Sequence, residues 1–253
     1  MKKNKSFLQI TGSMRLREIR KLREVLQKSL TILDDPSVVV TKKVNTRQNN
    51  LFGITASLGK EIRNSLAPLL ENVRDITQSN RLMKILMKIV TSTKAAGSDL
   101  SQMNFSILKG FKFNQKSCID SVFRWYIHRE MDRDTGQVKI NIPEFDPWLV
   151  FNCDKGVTHY QFMTACIEVE PGSQKFNGSI LMSSELVLDK KMNIPLTLVH
   201  SVTPGSELPV LLVVGIKFYS KHGEILYPCY QGKIPVNVME VFQPKTEAYG
   251  TKS

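Results

Sequence analysis

Apolar residues recur at helical spacing between residues 55 and 93, and the pattern divides into two helices. The first begins near Thr55 or Ser57, either of which can cap it. Its apolar face consists of Leu58, Ile62, Leu66, Leu69 and Leu70. Pro68 lies within this pattern, and because proline lacks the amide hydrogen that a helix interior needs, we expect a kink or a restart there.

A second helix is predicted over residues 80–93. Its apolar stripe is formed by Leu82, Ile85, Leu86 and Ile89. Polar residues 75–79 predict a turn or an N-cap before it, and the Ala-Gly-Ser sequence at residues 96–98 ends it. The chain then reaches a linker signature, Leu-Lys-Gly-Phe-Lys-Phe-Asn at residues 108–114. The region 55–114 is therefore predicted to be a helical hairpin with a linker.

Beyond residue 114 the pattern changes to short β-branched and alternating stretches separated by turn residues. We predict strands at residues 119–129, 138–142, 160–169, 178–188, 194–202, 210–219 and 236–242. Turn sequences such as Asp134-Thr135-Gly136 and Pro204-Gly205-Ser206 lie between them. This spacing favours an antiparallel β-sandwich of Greek-key type over residues 115–253. The predicted fold class is α+β, a basic N-terminal helical region with the hairpin followed by this sandwich.

Residues 1–54 are predicted to form a basic N-terminal arm. Within it, residues 14–30 fit a helix by the spacing of their leucines and isoleucine, while strict alternation over residues 14–18 also fits a strand. Periodicity alone favours the helix. Asp35-Pro36 ends this element, and the polar residues 42–50 predict a loop.

Positive charge is concentrated in the first half of the chain. The net charge is +12, and residues 1–116 hold 22 Lys+Arg against 8 Asp+Glu, whereas residues 117–253 hold 13 against 15. A basic half indicates an anionic partner, either nucleic acid or an acidic protein surface, although a lysine-rich surface can also serve solubility alone. The candidate partner- or phosphate-binding residues are Arg15, Arg17, Arg20, Lys21, Arg23, Arg81, Lys84 and Lys88.

Aromatic residues mark two further features. Trp125, Tyr126 and Trp148 lie near the start of the predicted sandwich, where the favoured interpretation is that they fill its core or its junction with the helices. The alternative is an exposed aromatic platform that stacks on sugars or bases. In the linker, Phe111 and Phe113 alternate with Lys112, so both can face the same way and attach the helical segment to the sandwich.

The sequence contains no pattern typical of a catalytic, metal or cofactor site. The four histidines and four cysteines have neither zinc-type nor Cys-x-x-Cys spacing, and no phosphate-binding glycine loop or Gly-x-Ser-x-Gly motif occurs. We therefore expect no cofactor, no metal and no enzymatic activity. With neither a signal-peptide core nor a membrane-spanning apolar run recognised, the expected location is the cytoplasm.

Several short motifs are shared with a known family. They include Leu-Gln-Ile-Thr-Gly-Ser at residues 8–13, Thr-Arg-Gln-Asn-Asn-Leu-Phe-Gly at 46–53, Gly-Phe-Lys-Phe-Asn at 110–114 and Gly-Ile-Lys-Phe-Tyr at 215–219. In these motifs the chain resembles a family of uncharacterised proteins of Bacteroidetes-type bacteria, which has no assigned activity. The resemblance implies a strand-like segment where this chain has residues 14–30, so both interpretations of that segment stay open.

Three functional hypotheses follow. The first is a non-catalytic interaction or assembly protein whose basic half engages an acidic partner and whose sandwich is a rigid body, able to form a homo-oligomer through edge strands. The second is a nucleic-acid-binding protein that contacts phosphates through the same basic half. The third is a carbohydrate-binding or enzymatic sandwich.

Overall fold

The computed structural model describes residues 46–173, 175–189, 191–192, 194–229 and 234–244. All of these residues belong to one compact unit that begins at Thr46. The predicted basic arm, its helix or strand at residues 14–30 and the candidates Arg15, Arg17, Arg20, Lys21 and Arg23 lie outside the described residues. The three-part domain division stays a prediction.

The predicted helical hairpin is present. Helix α1 spans Thr46–Ser65, α2 spans Ala67–Leu70 and α3 spans Gln78–Ala95. Helix α1 starts earlier than expected, inside the stretch predicted to be a loop. Its apolar stripe already begins at Leu51 and Ile54, which pack against the core, and no glycine or proline interrupts residues 46–50.

The breaks between these helices lie where the sequence places them. The restart at Pro68 is confirmed, because α1 ends at Ser65 and Pro68 occupies the first turn of α2, where a missing amide hydrogen costs nothing. Helix α3 ends before Gly97, whose φ of 71° is the left-handed conformation that commonly terminates helices.

Within the described residues nine strands follow the hairpin, all paired antiparallel. They are β1 (His128–Asp132), β2 (Gln137–Ile142), β3 (His159–Glu168), β4 (Gly178–Met182), β5 (Leu186–Val187), β6 (Leu196–Ser201), β7 (Val210–His222), β8 (Ile225–Pro228) and β9 (Val236–Phe242). A short helix, α4 (Ile119–Val122), precedes β1, and another, α5 (Pro147–Val150), lies between β2 and β3. The predicted α+β class is confirmed.

The predicted strand over residues 119–129 is wrong in its first part, which forms α4. Ile119 and Val122 are both buried, and their separation of three residues matches one helical turn rather than a strand. The amide of Phe123 donates to the carbonyl of Ile119 at 2.7 Å and closes that turn. The strand itself begins only at His128.

The strands form a large and a small sheet. In the large sheet β3 and β7 pair at the centre, β4 and β5 flank β3, and β8 and β9 flank β7. The small sheet has the order β1-β2-β6. The sheets are curled and do not clearly form a Greek-key sandwich, so that finer topology stays a prediction.

The large sheet is covered on both faces. One face packs against α1, α2 and α3, and the other packs against the small sheet and α4. Strands β3 and β7 are therefore apolar at consecutive positions, as in Val210–Ile216, instead of alternating. One hydrophobic core thus joins the hairpin to the large sheet, and a second core joins the large sheet to the small one.

A buried histidine connects the two sheets. His200 on β6 is 1% exposed; its Nδ1 lies 2.7 Å from Ser179 Oγ on β4 and its Nε2 lies 2.8 Å from Thr164 Oγ1 on β3. Burial disfavours the charged imidazolium and lowers the pKa of His200 from 6.5 to about 4. Protonation would also remove an acceptor from this pair of hydrogen bonds.

The burial of His200 predicts acid sensitivity. Between pH 6.5 and about 4, His200 is protonated in the unfolded chain but neutral in the folded protein. The free energy of unfolding therefore has its full value above this window and decreases as the pH falls through it. One such group changes the free energy of unfolding by at most about 1.4 kcal/mol per pH unit. Urea unfolding of the native chain and of His200→Gln across this window tests it. Equal pH slopes in the two proteins would contradict the assignment.

Candidate functional site

The linker signature forms an extended segment along the edge of the large sheet. The amide of Gly110 donates to Val238 at 2.8 Å, the amide of Phe113 donates to Val236 at 2.8 Å, and the amide of Val238 donates to Phe111 at 2.9 Å. Gly110 has a φ of 80°, which lets the chain turn out of the preceding 3₁₀ turn into this extended course. The segment therefore lies beside β9.

Alternation along this segment divides its side chains as the sequence predicts. Phe111 and Phe113 are buried, and their rings meet edge to face at 5.0 Å, while Lys112 is exposed. Both rings belong to the core shared by the helices and the large sheet. The expected attachment of the hairpin to the sheet by these two residues is confirmed.

A groove of about 410 Å³ lies between α3 and residues 107–115. Its apolar lining comes from Ile85, Ile107 and Phe111. Its cationic lining comes from Arg81, Lys84, Lys109 and Lys112. Among the described residues that line it there is no carboxylate, and two of its four cations, Lys84 and Lys112, form no ion pair, so the groove has an excess of positive charge around an apolar floor. We call it the basic groove.

Arg81 is held within the fold. Its guanidinium pairs with Asp75 at 2.6 Å, donates to the carbonyls of Lys112 at 2.7 Å and Phe113 at 3.4 Å, and lies 5.2 Å from the centre of the Phe111 ring. These contacts hold the linker segment against α3. Arg81 therefore acts first as a clamp within the molecule, a role that helical periodicity alone does not reveal.

Asp75 organises the other side of the clamp. Its Oδ1 accepts from the amide and hydroxyl of Thr77, and its Oδ2 accepts from Arg81 and from the amide of Gln115. Desolvation raises the pKa of Asp75, but these hydrogen bonds outweigh it and hold the pKa well below its usual range. The carboxylate thus stays charged opposite Arg81.

The remaining cations of this surface differ in whether a carboxylate neutralises them. Lys109 pairs with Glu240 at 2.8 Å, and the same carboxylate accepts from Arg129 at 3.0 Å. Lys84, Lys88 and Lys112 are exposed, and in the described part of the chain none of them forms an ion pair with a carboxylate. Lys88 follows Lys84 by one helical turn and lies outside the groove lining.

The structure therefore brings together two predicted residues, Arg81 and Lys84, with two that the sequence reasoning missed, Lys109 and Lys112. The exposure of Lys112 could have been predicted from the sequence, because its alternation with two phenylalanines places it on the outer face of the linker. No sequence pattern predicts the position of Lys109, because it depends on the turn at Gly110 and on pairing with a strand far along the chain.

The predicted aromatic residues are at the surface. Trp125, Tyr126 and Trp148 are 38%, 53% and 57% exposed, so the interpretation that they fill a core is wrong. Phe123 and Phe151, which pair across an antiparallel bridge, occupy the core instead. Next to this bridge the amide of Arg124 donates to the carbonyl of Val150 at 2.9 Å.

Trp125 and Tyr126 form a stack with ring centres 5.1 Å apart and planes inclined by 24°. Arg124 beside them is exposed, and Arg129 follows on β1 with its guanidinium on Glu240. A flat aromatic surface flanked by arginines is an arrangement that can stack on bases. Its role as a binding platform stays a prediction.

A second cavity, of about 250 Å³, lies near α4 and the end of β8 and contains two thiols, Cys153 and Cys229. Burial, with Asp154 and Cys229 adding to it, raises the pKa of the Cys153 thiol, which disfavours a reactive thiolate there. Among the described residues no cluster of three or more histidine, cysteine or acidic side chains could hold a metal ion.

Comparison with protein-family models, curated proteins and solved structures finds no match to this chain. Within the described ranges, no helix has both the length and the apolar character needed to cross a membrane. The resemblance to a bacterial family stays a prediction.

Proposed function

We propose that this chain is a non-catalytic interaction and assembly protein that engages an acidic protein partner through its basic groove. The observation that carries the proposal is the groove lining, in which Arg81, Lys84, Lys109 and Lys112 surround an apolar floor without a carboxylate among them. The sheets behind it provide a rigid support, because the linker segment is hydrogen-bonded to β9 and clamped to α3.

Nucleic-acid binding is the second candidate function. The stack of Trp125 and Tyr126, with Arg124 exposed beside it, favours a single strand over a duplex, because an exposed ring can stack only on an unpaired base. The phosphate contacts in this case would come from Lys84, Lys88 and Lys112.

Three finer features belong to the same proposal. The two sheets form a sandwich of Greek-key type, the protein acts in the cytoplasm, and copies associate through an edge strand. Support for self-association comes from β8, which pairs with β7 and carries Ile225 and Tyr227 at 58% and 48% exposure. Gel filtration with light scattering measures this association directly.

Binding of polyglutamate and of single-stranded DNA by the full chain, measured across a salt series, tests the proposed function. We expect polyglutamate to bind at low salt and to dissociate as salt screens the groove. The Lys84→Glu/Lys112→Glu variant should bind it about tenfold or more weakly, since two exposed attractive pairs become repulsive.

The matched control is Lys60→Glu/Lys94→Glu, which changes two exposed helical lysines outside the groove lining. It should retain most of the affinity for polyglutamate. Equal losses in the two variants would mean that net charge alone drives binding and would contradict a specific groove. Tighter binding of single-stranded DNA, lost in the Lys84/Lys112 variant, would favour the second candidate.

A further inference from the structure

We infer that the partner segment of the basic groove carries a large apolar side chain between its carboxylates, and that this side chain contacts Ile107, Ile85 and Phe111. The inference rests on the proposed function and specifies the chemistry of the partner. It starts from the groove floor, which is apolar although every charged side chain in its lining is a cation.

Ile107 is the most accessible part of this floor. It is 53% exposed, and it lines the groove together with the half-buried Ile85 and the lysines of residues 107–115. An apolar side chain placed here would remove both its own surface and that of Ile107 from water, which is the main source of affinity in small interfaces. A purely acidic segment would leave this apolar surface exposed.

The cations lie on both sides of the floor. Lys84 projects from α3, whereas Lys109 and Lys112 belong to the linker segment along β9. A partner whose apolar side chain enters the groove can therefore place carboxylates toward both walls. The groove volume of about 410 Å³ lies near the lower end of the roughly 300–1,000 Å³ range of ligand pockets and suits one anchoring side chain with its flanking backbone.

The same floor disfavours a nucleic acid as the occupant. Bases bind proteins chiefly by stacking on exposed aromatic faces. Phe111 is the aromatic residue of the groove lining, it is only 6% exposed, and the Arg81 guanidinium lies 5.2 Å from its ring centre. No ring face is therefore open for a base at this floor, whereas an aliphatic side chain needs only apolar contact.

Two fluorescein-labelled peptides rich in glutamate test the inference with the full chain. One carries a central leucine and the other a central serine. We expect the leucine peptide to bind about tenfold more tightly, which corresponds to about 1.4 kcal/mol. In Ile107→Ser this preference should fall to about twofold or less, since the exposed part of the floor is lost. Ile76→Ser removes an isoleucine that is 99% exposed and lies outside the groove lining, so it should keep the full preference.

The possible outcomes distinguish failure of the apolar anchor from failure of the proposed function. If both peptides bind equally and Lys84→Glu/Lys112→Glu weakens both, the apolar anchor is refuted and the proposed function stands. If neither peptide binds the native chain, or if the lysine variant binds as the native chain does, the proposed function fails as well. If single-stranded DNA competes with the leucine peptide and binds more tightly, the acidic segment is replaced by nucleic acid as the occupant.

Discussion

Replacing Phe113 with alanine is expected to lower the free energy of unfolding by about 3–5 kcal/mol, the usual cost of deleting a fully buried aromatic ring. Phe113 has no exposed surface, packs edge to face on Phe111 and belongs to the core between the helices and the large sheet. Its removal leaves a cavity where the hairpin is attached. Urea unfolding followed by circular dichroism measures the loss.

Phe52→Ala provides the control for this prediction. Phe52 also lies in the helical region but is 59% exposed, so its replacement should change the free energy of unfolding by less than about 0.5–1 kcal/mol. Similar effects of the two substitutions would show that Phe113 does not occupy the shared core. The attachment of the hairpin would then have to be assigned to other contacts.

Gly136→Ala is expected to destabilise the protein by about 2–4 kcal/mol, through a strained backbone and a steric overlap. Gly136 has a φ of 67°, and a Cβ there would overlap the carbonyl oxygen of Val202 and come 2.9 Å from the nitrogen of Pro204. Val202 cannot easily retreat, because its amide donates to the carbonyl of Gly136 at 2.8 Å. Thermal and urea unfolding measure the effect.

Substitution of Gly205 distinguishes the cost of backbone strain from the cost of steric overlap. Gly205 has the same φ of 67°, but a Cβ there would have no neighbour within 4 Å. Gly205→Ala should therefore cost only the left-handed backbone strain, about 1–2 kcal/mol. If the two alanine variants are equally stable, the close approach of the turn at Gly136 to the residues after β6 has no energetic consequence.

Local signals were sufficient for much of the fold. The strand predicted at residues 236–242 is β9, the turn at Gly136 joins β1 and β2, and Pro68 restarts a helix where its missing amide hydrogen requires it. Each of these features depends on residues within a few positions of one another. Local sequence patterns are therefore enough to predict them.

The features that the sequence did not reveal depend on long-range contacts. Trp125 was predicted for the core, yet Phe123 occupies that place because it pairs with Phe151. Arg81 was predicted to face a partner, and it does line the groove, but its hydrogen bonds to the linker carbonyls follow only from the packing of α3 against the linker segment. No short pattern in the sequence encodes either contact.

The shared core also determines how the groove must be tested. The helices and the large sheet bury the same apolar cluster, and Phe113 belongs to it. A fragment that starts after residue 116 would expose one face of the sheet, so its failure to bind would report unfolding rather than the loss of a binding site. Substitutions of exposed lysines in the full chain avoid this ambiguity.

The most direct test of the central claim is to find which lysines contact an acidic partner. A glutamate-rich peptide with a central leucine can be joined to lysine amines by a zero-length carbodiimide, and the joined residues identified by mass spectrometry. We predict amide bonds at Lys84, Lys109 and Lys112, which line the groove, and their loss when the salt concentration is raised. Amide bonds at Lys60, Lys94 and Lys155 in equal yield, or none at Lys84 and Lys112, would contradict the proposed acidic-partner site.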